Sequence, residues 1–267
     1  MDPVKGPLSE ARAVVFDTDG VLLDSARVHA AAWKEAFDAF LRVAARQPGD
    51  ADSARRFRPF DAEDYRLHVD GKSRLDGAAA FLASRRIALP PGKPDDPPGD
   101  TTVAALAARK ESLFVERLHT QGVATWPGTL RLLRALAGAG VPCAAVSASR
   151  HARELIDRGG LTDLLRTVVD GGEAARLRLP GKPDPALFLE GAARLGVAPE
   201  RAAVVEDALA GVAAGRRGGF GLVVGVDRSA GPTSGADLRS HGADLVVRDL
   251  AELLDNAREL DDAQEEE

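Results

Sequence analysis

One cysteine, Cys143, stands in the whole chain of 267 residues, so an intramolecular disulfide is excluded. It lies in the apolar run "VPCAAVS", the setting of a buried packing thiol rather than a reactive one. No apolar stretch approaches the roughly 20 residues that a membrane span needs. The opening "MDPVKGPLSE" lacks the apolar core of a signal peptide, which makes a cytoplasmic location the expectation. An excess of positive charge is also missing. The formal net charge is -6, which argues against non-specific nucleic-acid binding. Part of the acidic surplus sits in the closing "DDAQEEE", expected to be a frayed, solvated end. Internal repeats are absent as well.

What is present is an ordinary globular mixture, long enough for about two domains. Ala13 to Phe16 read as a buried strand that runs into Asp17, Asp19 and Gly20. Five later runs are Val- and Ala-rich without alternation: "VPCAAVS" (141–147), "TVVDG" (167–171), "AAVVED" (202–207), "GLVVGVD" (221–227) and "ADLVVRDL" (243–250). Continuous apolar strands separated by helical patterns such as "TLRLLRALAGAG" and "DPALFLEGAARLG" predict an α/β fold. Its core is a doubly wound, Rossmann-like parallel sheet, which places ligands beyond the carboxyl ends of the strands. Residues 26–125 break the rhythm with helical patterns and no clear strand. His29, Trp33, Phe37 and Phe40 share one helical face there, as do Val103, Leu106, Lys110 and Leu113. The region is read as a helical domain inserted after the first strand, between core segments 1–25 and 126–267. The glycines of "DGGEAARL" are expected to form a turn, and the Pro-rich "LPPGKPDDPPGD" a polar loop.

Strand ends gather Asp17, Asp19, Ser147, Lys182, Glu206 and Asp207. Four converging carboxylates repel one another, so a cation is expected among them. Mg²⁺ takes oxygen ligands and keeps a phosphate oxygen, while a hydroxyl and a lysine suit a phosphate's other side. The set points to phosphoryl transfer, with one carboxylate free to attack phosphorus.

"DTDGVLLDS", "VSAS", "GKPDP" and "VVEDALAG", in this order, resemble the four motifs of the haloacid dehalogenase superfamily of phosphotransferases. Within it, the chain is most similar to the β-phosphoglucomutase-like branch. The matching residues are His29 and Trp33 after the first motif, "GKSR" (Gly71 to Arg74), Arg109-Lys110 and the Ser-Ala-Ser-Arg run from Ser147. The departures are a longer segment between Leu41 and Arg66, the Pro-rich loop and "DGGEAARLRLPGK". The resemblance implies that the inserted domain is a small cap. It implies Asp17 as nucleophile and Asp19 as general acid and base. Mg²⁺ is then held by Asp17, the backbone carbonyl of Asp19, Glu206 and Asp207. Ser147, the backbone of Ala148 and Lys182 bind the transferring phosphoryl group. Arg74 holds the distal phosphate, and Gly71 and Ser73 lie with it in the cap's substrate-facing element. His29, Trp33, Lys110 and Ser149 lie near substrate.

Plainer readings stand beside these. Ser25 fits a helix N-cap, His29 and Trp33 fit a core face, and Lys110 fits a lysine reaching out from a half-buried one. The expected activity is interconversion of β-glucose 1-phosphate and glucose 6-phosphate by a monomer with a small sugar phosphate as its partner. A sugar-phosphate phosphatase on the same scaffold is the alternative, and a non-catalytic phosphosugar-binding protein a remote one.

Overall fold

The computed structural model describes residues 6–46, 52–228 and 234–254. The closing "DDAQEEE" and the first five residues lie outside them. The chain divides into two compact units, one of Met1–Asp24 with Ala124–Glu267, the other of Ser25–Val123. In chain order the elements begin with β1 (Ala13–Asp17), α1 (Ala26–Ala44) and the single turns α2 (Ser53–Arg56) and α3 (Ala62–Asp64). Then come α4 (Arg74–Ser84), α5 (Val103–Gln121), α6 (Pro127–Gly138), β2 (Cys143–Val146) and α7 (Ala152–Arg158). β3 (Thr167–Val169), α8 (Gly171–Leu177), α9 (Ala186–Leu195), β4 (Ala202–Glu206), α10 (Leu209–Arg217), β5 (Leu222–Val226), α11 (Ser234–Ser240) and β6 (Leu245–Val247) complete the order.

The six strands form one parallel sheet in the order β3-β2-β1-β4-β5-β6. All five residues of β1 and of β4 are buried, as continuous apolar strands covered on both faces must be. Val15, Val146, Val204 and Phe188 belong to the core on one side of the sheet. The winding reverses between β1 and β4, the switch point at which open α/β sheets bind ligands. Register makes the consequence specific. Asp17 pairs with Val146, and Phe16 pairs with Val205. One step past Val146 stands Ser147, and one step past Val205 stands Glu206. Three strand ends thus deliver Asp17, Ser147 and Glu206 side by side.

The helical unit contains no strand among its described residues. Trp33, Phe37, Phe60, Phe81 and Leu106 form its buried centre. Phe37 stacks on Trp33 at 4.7 Å and tilts against Phe81 at 4.2 Å. Thr102 caps α5 by accepting from the Ala105 N–H, and Ser73 caps α4 by accepting from Asp76. Ser25 stands at the N-cap position of α1, but its side chain makes no capping bond.

The expected turn at "DGGEAARL" is a helix instead, α8. Asp170 accepts from the Glu173 N–H and starts it, a capping bond stronger than the turn preference of two glycines. Gly171 has a separate reason to be there. A Cβ would overlap the Ala148 carbonyl oxygen, so the glycine admits the loop that follows β2. Cys143 is buried in β2, where burial pushes its thiol up to about 12, so it stays a protonated packing group.

Candidate active site

Asp17 ends β1 and is buried. One of its oxygens accepts from the Asp19 N–H at 2.9 Å; the other pairs with the Lys182 ammonium. Lys182, also buried, pairs in addition with Glu206 at 2.6 Å. Glu206 is fully buried, and its second oxygen accepts from the backbone N–H groups of Asp207 and Ala208 at 3.0 and 2.9 Å. One ammonium therefore bridges two buried carboxylates. Burial pushes Asp17 well above the ordinary carboxylate value, Glu206 and Asp19 push it further, and Lys182 opposes them. For Lys182, burial alone acts downward, but Asp17 and Glu206 outweigh it and hold the ammonium above its usual value.

Asp19 is part-exposed and takes a different partner. The Ser147 hydroxyl donates to it at 2.8 Å, and the same hydroxyl oxygen accepts from the Ser149 N–H at 2.9 Å. Ala148 lies between them in that turn. Thr18, between the two aspartates, turns inward and donates to the Val146 carbonyl at 3.0 Å. The two acids, two positions apart, are thus sent in opposite directions, Asp17 to the lysine and Asp19 to the serine.

Asp17, Glu206 and Asp207 each offer a carboxylate oxygen, and these lie within 4.8 Å of one another. Oxygen donors of this kind suit a hard divalent cation. Two glycines permit the approach. Gly20 has φ +85°, and a Cβ there would overlap the Asp207 carboxylate; one on Gly211 would overlap Glu206. The acids present fit Mg²⁺ in donor chemistry and in crowding, since three carboxylate groups offer oxygens within 4.8 Å of one another.

In the helical unit, His29 Nδ1 and Lys110 Nζ are 2.8 Å apart. Lys110 is buried, lies over the rings of Phe114 and Trp33 at 4.7 and 5.4 Å, and has Glu111 at 4.0 Å. His29 stacks on Phe114 at 4.0 Å. Arg74 opens α4 with its guanidinium 3.6 Å from Glu111. Gly71 turns the chain at φ +71°, and Ser73 donates to the Asp76 carboxylate while capping α4. Trp33 sits in the aromatic core, the plainer of its two readings. His29, Trp33, Lys110, Glu111 and Arg74 are therefore one contact chain, whereas Gly71 and Ser73 shape the start of α4.

Arg228, just past β5, is a residue that motif reading passes over. It donates to the carbonyls of Gly20 at 3.0 Å, Val21 at 3.2 Å and Arg248 at 2.8 Å, and lies 4.3 Å over the Trp126 ring. It pins the turn that carries the aspartates. A lone arginine in a loop carries no spacing signal that would have disclosed this.

A family model described as haloacid dehalogenase-like hydrolase matches residues 11–219. The chain is 46% identical over 252 residues to a β-phosphoglucomutase of Mycobacterium bovis, covering 94% of both chains. It is 30% identical over 245 residues to a β-phosphoglucomutase of Bacillus subtilis, covering 91% of both. A crystal structure of β-phosphoglucomutase from Clostridium difficile matches with a TM-score of 0.68 at 22% identity, over 96% of this chain and 98% of that one, a likeness of fold. With β1, the serine turn, the lysine and the acidic pair all inside the matched span, the chain is an enzyme that belongs to the haloacid dehalogenase-like hydrolase family.

Proposed function

We propose that the enzyme is a Mg²⁺-dependent β-phosphoglucomutase, converting β-glucose 1-phosphate to glucose 6-phosphate through a glucose 1,6-bisphosphate. The observation that carries this reading is the split between the two aspartates. Asp17 is buried against Lys182, and Asp19 is part-exposed against Ser147.

In the first half-reaction an Asp17 oxygen attacks the C1 phosphorus of the bisphosphate, the bond from phosphorus to the C1 oxygen breaks, an aspartyl-phosphate forms, and glucose 6-phosphate leaves. Asp19 gives its proton to the departing sugar oxygen. In the second half-reaction Asp19 takes the proton from the 6-hydroxyl of an incoming β-glucose 1-phosphate, that oxygen attacks phosphorus, the bond from phosphorus to Asp17 breaks, and the bisphosphate is regenerated. The Ser147 hydroxyl, the Ala148 backbone and the Lys182 ammonium bind the phosphoryl oxygens. Asp17, the Asp19 carbonyl, Glu206 and Asp207 would hold the metal, which supplies positive charge beside the transferring group when bound.

On the helical unit, read as the cap, Arg74 is assigned to the distal phosphate, which its planar fork suits in either orientation of the bisphosphate. Lys110 and His29 are assigned to substrate. The single buried cysteine, with no described helix long and apolar enough to cross a membrane, accords with work in the cytoplasm.

Product analysis on β-glucose 1-phosphate with a bisphosphate primer tests the reading. Glucose 6-phosphate as main product supports it. Free phosphate as main product overturns it in favour of a sugar-phosphate phosphatase.

A further inference from the structure

The helical unit carries a solvent-open cavity of about 350 Å³ that plays no part in the chemistry above. Five arginines line it, Arg55, Arg56, Arg58, Arg85 and Arg86, against two aspartates, Asp52 and Asp64. Asp64 is buried and already committed. Both its oxygens accept from Arg58, at 3.1 Å each, and Arg85 pairs with it too. Arg85 is buried as well. Its Nη1 donates to the carbonyls of Arg55, Arg56 and Arg58 at 3.4, 3.2 and 3.2 Å. This brace ties the end of α4 to the 55–58 stretch, so the wall is fixed before any ligand arrives.

Arg55 and Arg86 sit on that wall, exposed, with no carboxylate at ion-pair distance among the described residues. Arg86 also has φ +54°, just past the end of α4, where glycine is the residue free of strain. A long cationic side chain is therefore held in a backbone conformation that resists it. Two aspartates do not offset five guanidinium groups, and an excess of like charge around one cavity is unfavourable until an anion enters. His68, the other titratable group on the wall, adds little charge at neutral pH, since burial and the neighbouring Lys72 lower it.

We propose that this cavity binds a phosphate-bearing small anion, gripped by Arg55 and Arg86 on the frame that Arg85 and Asp64 hold rigid. Guanidinium forks match phosphate oxygens in pairs, and the volume accommodates a diphosphate. Nothing in this assignment depends on the reaction proposed above.

The test is calorimetric titration of the full-length protein with inorganic pyrophosphate at constant ionic strength, with a chelator present. Saturable binding is expected, weakened at least about tenfold in the double variant Arg55→Gln/Arg86→Gln, whose exposed positions leave folding intact. The same binding should survive in Lys182→Gln or, if circular dichroism shows that variant unfolded, in Ser147→Ala. A double variant within about twofold of wild type overturns the proposal. So does a titration that never saturates, or binding that disappears with the folded core variant.

Discussion

Asp17 and Asp19 are the same residue type two positions apart, yet their surroundings differ. The buried one, charge-paired to Lys182, is suited to attack; the other, hydrogen-bonded to a serine and open to solvent, is suited to move a proton. Replacing Asp17 with Asn should leave the fold and abolish turnover. Uncatalysed phosphate ester hydrolysis is slow enough that enzymes reach accelerations of about 10²¹. A steady-state assay that finds activity within about tenfold of wild type would remove Asp17 from the nucleophile's role. Asp19→Ala should lower the rate by roughly 10²–10⁴, the usual worth of a positioned proton donor. The loss should be greater on a sugar phosphate than on an aryl phosphate, whose leaving group needs little protonation. Equal losses on the two substrates would count against acid–base work at Asp19.

At the scale of the element, α10 and β4 meet so closely that Gly211 lies against Glu206. Gly211→Ala should destabilise by about 1–3 kcal/mol, as overpacking does, because the neighbour is a fully buried carboxylate held by Lys182 and two backbone N–H groups. Denaturant unfolding measures this, and unchanged stability would show that α10 yields freely.

On α8, Glu173 accepts from Arg194 and Arg176 and from Arg153, which holds its carboxyl down to about 2 from an ordinary 4.5. A depressed acid contributes stability that is complete above 4.5 and is lost as pH falls towards about 2. Glu173→Gln should therefore lower the melting temperature near neutral pH, and the gap from wild type should close as the solution is acidified. A gap independent of pH would mean that the carboxylate's charge is not what those arginines use.

Every described strand was legible in the sequence, because parallel strands are uninterrupted apolar runs, most fully so in the buried middle of the sheet: "AAVVED" contains β4 and "GLVVGVD" contains β5. The shared faces of α1 and α5 were legible for the same reason, being periodic. What stayed hidden depends on partners remote in sequence. Glycines at α8 read as a turn because Asp170 alone does not announce a cap. Arg228 and the Arg58–Asp64–Arg85 cluster are joined only by folding, across loops with no common spacing.

For the molecule as a whole, the candidate metal site joins residues drawn from both ends of the core unit's sequence. Asp17, Glu206 and Asp207 bring three carboxylates within reach of one ion, so a divalent cation that binds only the folded state should stabilise that state. Saturating Mg²⁺ at about 100 times its dissociation constant is worth about 2.7 kcal/mol. Scanning calorimetry of chelator-treated protein should show the melting temperature rising with Mg²⁺, and activity returning with it. A melting temperature indifferent to Mg²⁺ while the protein stays inactive would count against these acids as the ligands.

The pairing of β1 has a consequence for synthesis. Val14 aligns with Cys143 and Ala13 with Ala202, so β1 leaves the ribosome ahead of both its neighbours and waits for them. At about 5–20 residues per second, roughly 10 to 40 s pass before β4 emerges. Until β2 emerges "AVVFD" is a bare apolar strand with two open edges, and until β4 emerges one edge stays open to mispairing. Ser25–Val123, contiguous and complete within itself, emerges during the same interval and is free to fold first. The growing chain thus carries a finished helical unit beside an orphan strand, and chaperone occupancy of the nascent chain should centre on Ala13–Asp17 until translation passes Glu206.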